Sequence, residues 1–215
     1  MTPPDAERAL ILTYAPPAGR AALAALLGLD DALAQLLRTT REPAIGQIRL
    51  AWWRERLEAL DKGPPPAEPV LQAIAASGVP GASLAAIADG WEVLLEERLG
   101  ADALARFGAG RGALFVAAGK ALGATGDPLE AAGQGWALAD LARHLGEPGE
   151  AAAARAMASP LLAAATAARW SREGRALGAM AHLARRDLAL AAGEAAPVGA
   201  PSRVARLLWH RLSGR

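Results

Sequence analysis

The chain contains no cysteine, which excludes disulfides, thiolate nucleophiles and cysteine-based metal sites together. Its three histidines, His144, His182 and His210, are dispersed and none sits at metal-ligand spacing from another, so no zinc site is expected. Lysine is scarce as well: only Lys62 and Lys120 occur, and the rest of the 23 basic residues are arginines. Those 23 face 22 acidic residues, a formal charge of +1, so no whole-molecule field exists to collect nucleic acid, and any anion binding must be local. No uninterrupted apolar run reaches the roughly 18 residues of a membrane helix, because the best stretch, 156–168, is broken by Ser159 and Pro160. The start, MTPPDAERAL, has no basic segment followed by an apolar one, and no signal peptide is expected. These absences lead us to expect a cytoplasmic protein, at most peripheral at the inner membrane.

What fills the chain is alanine and leucine within a hydrophobic fraction of 53%, while β-branched and aromatic residues are few. That mix favours helix over strand and implies an all-α protein, with residues 1–215 as one domain. Proline and glycine punctuation divides it. After a Pro-rich leader, helices are expected from YAPPAGR, where Pro16, Pro17 and Gly19 make the opening, to about Arg38, from Glu42-Pro43 to the linker KGPPPAEP, near Val70–Ser77 and over about Ser83–Leu99. Further helices are expected in FGAGRGALFVAAGKALGATGDP, with a first turn loosened by Gly108, Gly110 and Gly112, and over about Leu129–Leu145, Glu150–Arg169 with a bend at Pro160, Arg172–Ala192 and Ser202–Leu212. The sum is eight or nine helices in a bundle.

The second of these holds the densest pattern. At about 100° per residue, Ile45, Ile48 and Trp52 form one apolar strip and Leu50, Trp53, Leu57 and Leu60 another, with Arg49 and Arg56 projecting between them. An arginine flanked by apolar strips must pair with a carboxylate, reach a backbone carbonyl or face a cavity, because an unpaired buried charge is costly. Adjacent tryptophans on a helix are expected to be core anchors. In the helix over 129–145, Leu138, Leu141 and Leu145 make the core face, and Trp136, Asp140, Arg143 and His144 gather opposite, either as a surface ion pair or as the wall of a polar pocket. GAGRGALFVAAGKALG lacks both the spacing of a phosphate loop and a preceding strand, so a glycine-softened helix start is expected there, giving close helix contact or room for a ligand. The tail Ser202–Arg215 is basic and amphipathic; it is expected to pack as the last helix, with docking to anionic lipid or a membrane-bound partner as the alternative.

Taken in order, these pieces resemble the squalene/phytoene synthase family, the head-to-head prenyl synthases of the all-α isoprenoid synthase fold. IRLAWWRERLEAL carries the resemblance through its R-L-x-W-W block. AALAALLGLDDALAQL, IADGWEVLLEERL, RFGAGRGALFVAAGKALG and WALADLARHLGEP follow in the family's order and spacing. The resemblance implies a helical bundle around a central cavity in which two D-x-x-x-D motifs hold Mg²⁺ against substrate diphosphates, since that hard ion takes oxygen ligands. Here the first pair falls on Ala34 and Arg38, the second on His144 and Pro148, and a further aspartate on Leu94. Asp30 and Asp31 lie one turn early. Arg41-Glu42-Pro43, Gly46, Ile48-Arg49-Leu50 and Trp52-Trp53-Arg54 look like the divergent branch that includes the mitochondrial complex I assembly factor and its bacterial relatives.

The resemblance therefore implies a non-catalytic protein without a metal cofactor, acting in assembly, including that of respiratory complex I, or as a binder of an isoprenoid diphosphate or lipid. Its expected pocket is built from Arg49, Trp53, Arg56, Asp140, Arg143 and His144. The competing reading is an active prenyl transferase, Mg²⁺-dependent, that recruits Asp30, Asp31, Asp89 and Asp140; it requires carboxylates of different helices to converge.

Overall fold

The computed structural model describes residues 6–190, 194 and 198–215. Among them lie ten α-helices, two short 3-10 turns and no strand. The helices are α1 (Ala6–Leu12), α2 (Pro17–Thr39), α3 (Pro43–Ala59), α4 (Pro69–Ser77), α5 (Ala85–Glu92), α6 (Ala101–Leu122), α7 (Leu129–His144), α8 (Pro148–Ala167), α9 (Arg175–Asp187) and α10 (Pro201–Ser213). Proline opens α2, α3, α4, α8 and α10 at the first turn, where its missing N–H satisfies no helical bond anyway.

Helix α7 packs on α6, α8 and α9, and α6 in turn carries α5 and α2. Two crossings are tight enough to require glycine. A Cβ on Gly110 would stand 2.5 Å from the Gly90 Cα of α5, and one on Gly133 would stand 2.3 Å from the Gly112 carbonyl oxygen. The backbones of α5, α6 and α7 therefore touch. Of the two expectations for the glycine run, this is close helix contact rather than room for a ligand, but α6 starts at Ala101, so Gly108, Gly110 and Gly112 lie in mid-helix and loosen no first turn. Main-chain hydrogen bonding continues through them because both flanks, ADALARF and ALFVAAGKAL, are strong helix formers.

Other boundaries differ for identifiable reasons. Instead of one helix over 83–99, the chain forms a 3-10 turn, the short α5 and a second 3-10 turn, Val93–Leu95. The leader holds a helix, α1, because Ile11 enters the core and Glu7 is buried against α10's Arg203. Helix α9 starts at Arg175 rather than Arg172, after a turn held by the Asp127 carboxylate, which accepts from the Ser171 N–H at 2.8 Å. It also ends earlier than expected, at Asp187, with a turn over residues 188–190; Ala192 itself lies outside the described residues. Pro160 is accommodated inside α8.

Candidate functional site

Helices α1, α2, α6, α7, α9 and α10 surround a half-open cavity of about 300 Å³. Ile11, Leu27, Trp136, Met180 and Leu183 supply an apolar lining, and acids and arginines from all six helices supply the rest.

At its floor lies Arg111, only 4% exposed. It stands on the apolar stripe of α6 formed by Leu104, Phe107, Leu114, Phe115 and Ala118, all buried. Its Nε and Nη2 donate to the two carboxylate oxygens of Asp30 on α2, each at 2.8 Å, and its Nη1 donates to Asp140 on α7 at 2.6 Å. The plane is clamped by aromatic rings, with the guanidinium carbon 4.6 Å from the Trp91 centroid and 4.3 Å from that of Trp136. The Trp91 indole N–H also donates to Asp30. Burial alone would lower the basicity of Arg111, but the two carboxylates override it and raise its pKa above the ordinary arginine value. Burial would likewise raise the Asp140 carboxyl; Arg111, helped by His144 and Arg143, holds it below the usual range.

A second network closes the opposite wall. Arg203 of α10 donates to both oxygens of Glu7, at 2.8 and 2.9 Å, and also to Asp187 of α9, which Arg143 approaches at 3.4 Å. Burial pushes the Glu7 carboxyl up, and the hydrogen bonds from Arg203 and the Gly199 N–H reverse this to a net lowering. At the rim Arg8 pairs with Asp31 at 2.6 Å. Each acid that lines the cavity is thus joined to an arginine.

The expected pocket is divided by this arrangement. Asp140 and Arg143 line the cavity, while Arg49, Trp53, Arg56 and His144 do not. Arg49 and Arg56 are exposed: Arg49 donates to the Thr40 hydroxyl at 2.8 Å, and Arg56 lies 5.8 Å from the Trp52 ring centroid. They are not wedged, because only one of the two apolar strips is buried. Gly46, Leu50, Trp53 and Leu57 face α5 and its flanking 3-10 turns, while Ile45, Ile48 and Trp52 remain 45%, 70% and 37% exposed. Of the tryptophan pair, therefore, Trp53 is the core anchor and Trp52 rests edge-on against it. His144 is exposed and its ring bonds back to the Asp140 carbonyl oxygen at 2.8 Å. Of the remaining motif positions, Ala34 and Leu94 are half-buried, while Arg38 and Pro148 are exposed, Arg38 donating to the Gln35 side chain.

Residues 1–98 match the squalene/phytoene synthase family model. The match supports a family-level relationship to squalene and phytoene synthases and covers α1–α5, including Asp30 and the R-L-x-W-W block; Arg111 and Asp140 lie beyond it. No curated protein and no solved structure matches the chain significantly.

Squalene and phytoene synthases imply Mg²⁺, and the donors present do not fit it. Asp30 and Asp140 do approach from facing helices, but a guanidinium fills the space between them. The positions where the resemblance places metal ligands hold Ala34, Arg38, Leu94, His144 and Pro148. Asp31 and Asp89 are exposed and face Arg8 and Arg54. Among the described residues no three carboxylate or imidazole side chains converge as a ligand set.

Sequence reasoning overlooked Arg111, Glu7, Asp187 and Arg203 as site residues. A signal was present for the first: a lone arginine on the apolar stripe of α6, flanked by glycines, is a charge the fold must bury and therefore pair. The pairing of Arg203 with Glu7 spans 196 positions and carries no local signal.

Proposed function

We propose that the chain is a non-catalytic relative of squalene and phytoene synthases, in which an internal arginine has taken the place that divalent metal would hold between facing carboxylates. The observation that carries this reading is the Arg111 guanidinium spanning Asp30 and Asp140. In prenyl transfer the metal neutralises the diphosphate so that it can leave. An arginine already neutralised by two carboxylates offers little net charge for that purpose, and it occupies the oxygens that a metal would need. The apolar lining beside it suits an isoprenoid or lipid chain, and 300 Å³ lies at the small end of ligand pockets.

The finer role we propose is assembly of a membrane-bound complex, including respiratory complex I. It is supported by the Arg41–Arg54 pattern of the divergent branch and by the outward face of Ile45, Ile48 and Trp52, which the chain itself leaves uncovered.

Incubation with farnesyl or geranylgeranyl diphosphate and Mg²⁺ should release no pyrophosphate above a protein-free control. Clear turnover would instead establish the second reading, an active prenyl transferase. The convergence of Asp30 and Asp140 favours that reading, and it requires Arg111 to be displaced when substrate binds.

A further inference from the structure

The ends of α8 and α9 and the outer side of α10 enclose a second, more open cleft of about 530 Å³, lined by Thr166, His182, Arg185, Arg186, Arg206 and Arg215. Its charge is of one sign. Arg185 donates to the Thr166 hydroxyl at 2.5 Å and Arg186 to the Ser202 hydroxyl at 3.2 Å. The Arg206 guanidinium lies 2.8 and 2.9 Å from the two ring nitrogens of His182. Among the described residues, none of these arginines has a carboxylate side chain within ion-pair distance, in contrast to the central cavity, where each acid is matched. Burial, and then the nearby charges of Arg186 and Arg185, lower the basicity of Arg206. His182 is 5% exposed and meets the His210 ring edge-on, at 4.7 Å between centroids. Burial and Arg206 push its pKa down to about 3, so it stays a neutral base that fixes the arginine in position. Among the described residues, three guanidinium groups thus share the cleft with no carboxylate side chain paired to them, the donor set that a phosphate-type anion takes.

The helix that supplies Arg206 also carries an apolar face that the fold leaves open. Its inner side, Arg203, Leu207 and His210, is buried, whereas Leu208, Trp209 and Leu212 are 49%, 59% and 79% exposed. At about 100° per residue these three fall within roughly a 100° arc, with Arg206 beside Trp209 and Arg211 beside Leu208. No acidic residue occurs in α10. Leucine and tryptophan flanked by arginines form the pattern that settles at the boundary of headgroups and acyl chains.

From these two observations we infer that the α8–α9–α10 end is a docking site for anionic phospholipid. The lipid phosphate enters the Arg185–Arg186–Arg206 cleft, and Leu208, Trp209 and Leu212 insert beside it at the bilayer surface. A soluble phosphate would need the cleft alone. The exposed apolar face on the same helix selects a lipid surface, and the unbalanced arginines select an anionic one. This site is independent of whether the central cavity supports chemistry.

The test is sedimentation of the full chain with vesicles of phosphatidylcholine alone or with added phosphatidylglycerol. Binding should be confined to the anionic vesicles and weaken as salt is raised. Replacing Arg185→Ser with Arg186→Ser, and separately Leu208→Ser with Leu212→Ser, should each weaken it by about tenfold or more. All four residues are exposed, so both variants keep the fold. Binding to inorganic phosphate that competes fully with vesicles and ignores the leucine changes would overturn the lipid assignment in favour of a soluble anion. So would a chain that ignores both vesicle types, or one that self-associates through the leucine face instead.

Discussion

Arg111 donates to both carboxylate oxygens of Asp30 at 2.8 Å, although the two residues stand 81 positions apart in the chain. The pair joins α6 to α2 at the floor of the central cavity, and Asp140 extends it to α7. Truncating one member of a buried pair leaves the other desolvated and alone. Arg111→Ala should therefore cost about 3–5 kcal/mol in urea unfolding. Arg111→Lys should recover only part of this, since an ammonium cannot form the bidentate contact or lie flat between Trp91 and Trp136. Equal stability of the wild type and the alanine variant would contradict the geometry.

Acid sensitivity follows from the same networks. The carboxyls of Glu7 and Asp140 are held below their ordinary values of 4.5 and 3.8. A depressed carboxyl stabilises the fold fully above its unfolded pKa, and the contribution is lost as pH falls through the lower folded value. The urea midpoint should fall most steeply below about pH 4.5. Asp140→Asn should flatten the acid limb of that profile.

The buried histidines act in a higher window. Burial lowers His182 to about 3 and His210 to about 4, against an unfolded value of 6.5. Below pH 6.5 the unfolded chain therefore binds protons that the folded chain refuses, so stability declines as pH falls from 6.5 toward the folded values and is unaffected above it. NMR should show both imidazole rings neutral and without titration between about pH 7 and pH 5.

Helix α3 separates its two tryptophans sharply. Trp53 is 8% exposed and Trp52 is 37% exposed. Trp53→Ala should cost about 3–5 kcal/mol, as aromatic truncation in a core does. Trp52→Ala should cost less than about 1 kcal/mol. Comparable losses would mean that both rings are core anchors after all.

The glycine crossing of α6 and α7 is as demanding. Gly133→Ala would set a methyl 2.3 Å from the Gly112 carbonyl oxygen, with backbone on the far side and no flexible atom to yield. A loss of at least about 1–3 kcal/mol is expected, read as a lower thermal midpoint. Gly63→Ala, at a glycine with open space around it, serves as the control and should be near neutral.

Much of the fold was legible because its causes are local. Alanine and leucine at helical period, with proline at first turns and glycine at stops, determine where most helices run, and the R-L-x-W-W block points to the squalene and phytoene synthases that the match over residues 1–98 supports. The start of α6 was misplaced because glycine weakens a helix in isolation, whereas here packing against α5 and α7 holds the three glycines in mid-helix. The site was legible only in part. Two apolar strips on α3 look alike at the level of period, and only the direction from which α5 approaches decides that one is core and the other surface, leaving Arg49 and Arg56 exposed. Residue types and spacing establish that aspartates are missing at Ala34, Arg38, Leu94, His144 and Pro148. What stands between the remaining acids is decided by tertiary structure alone, because a guanidinium on α6 meets carboxylates of α2 and α7 only once the glycines have let those helices touch.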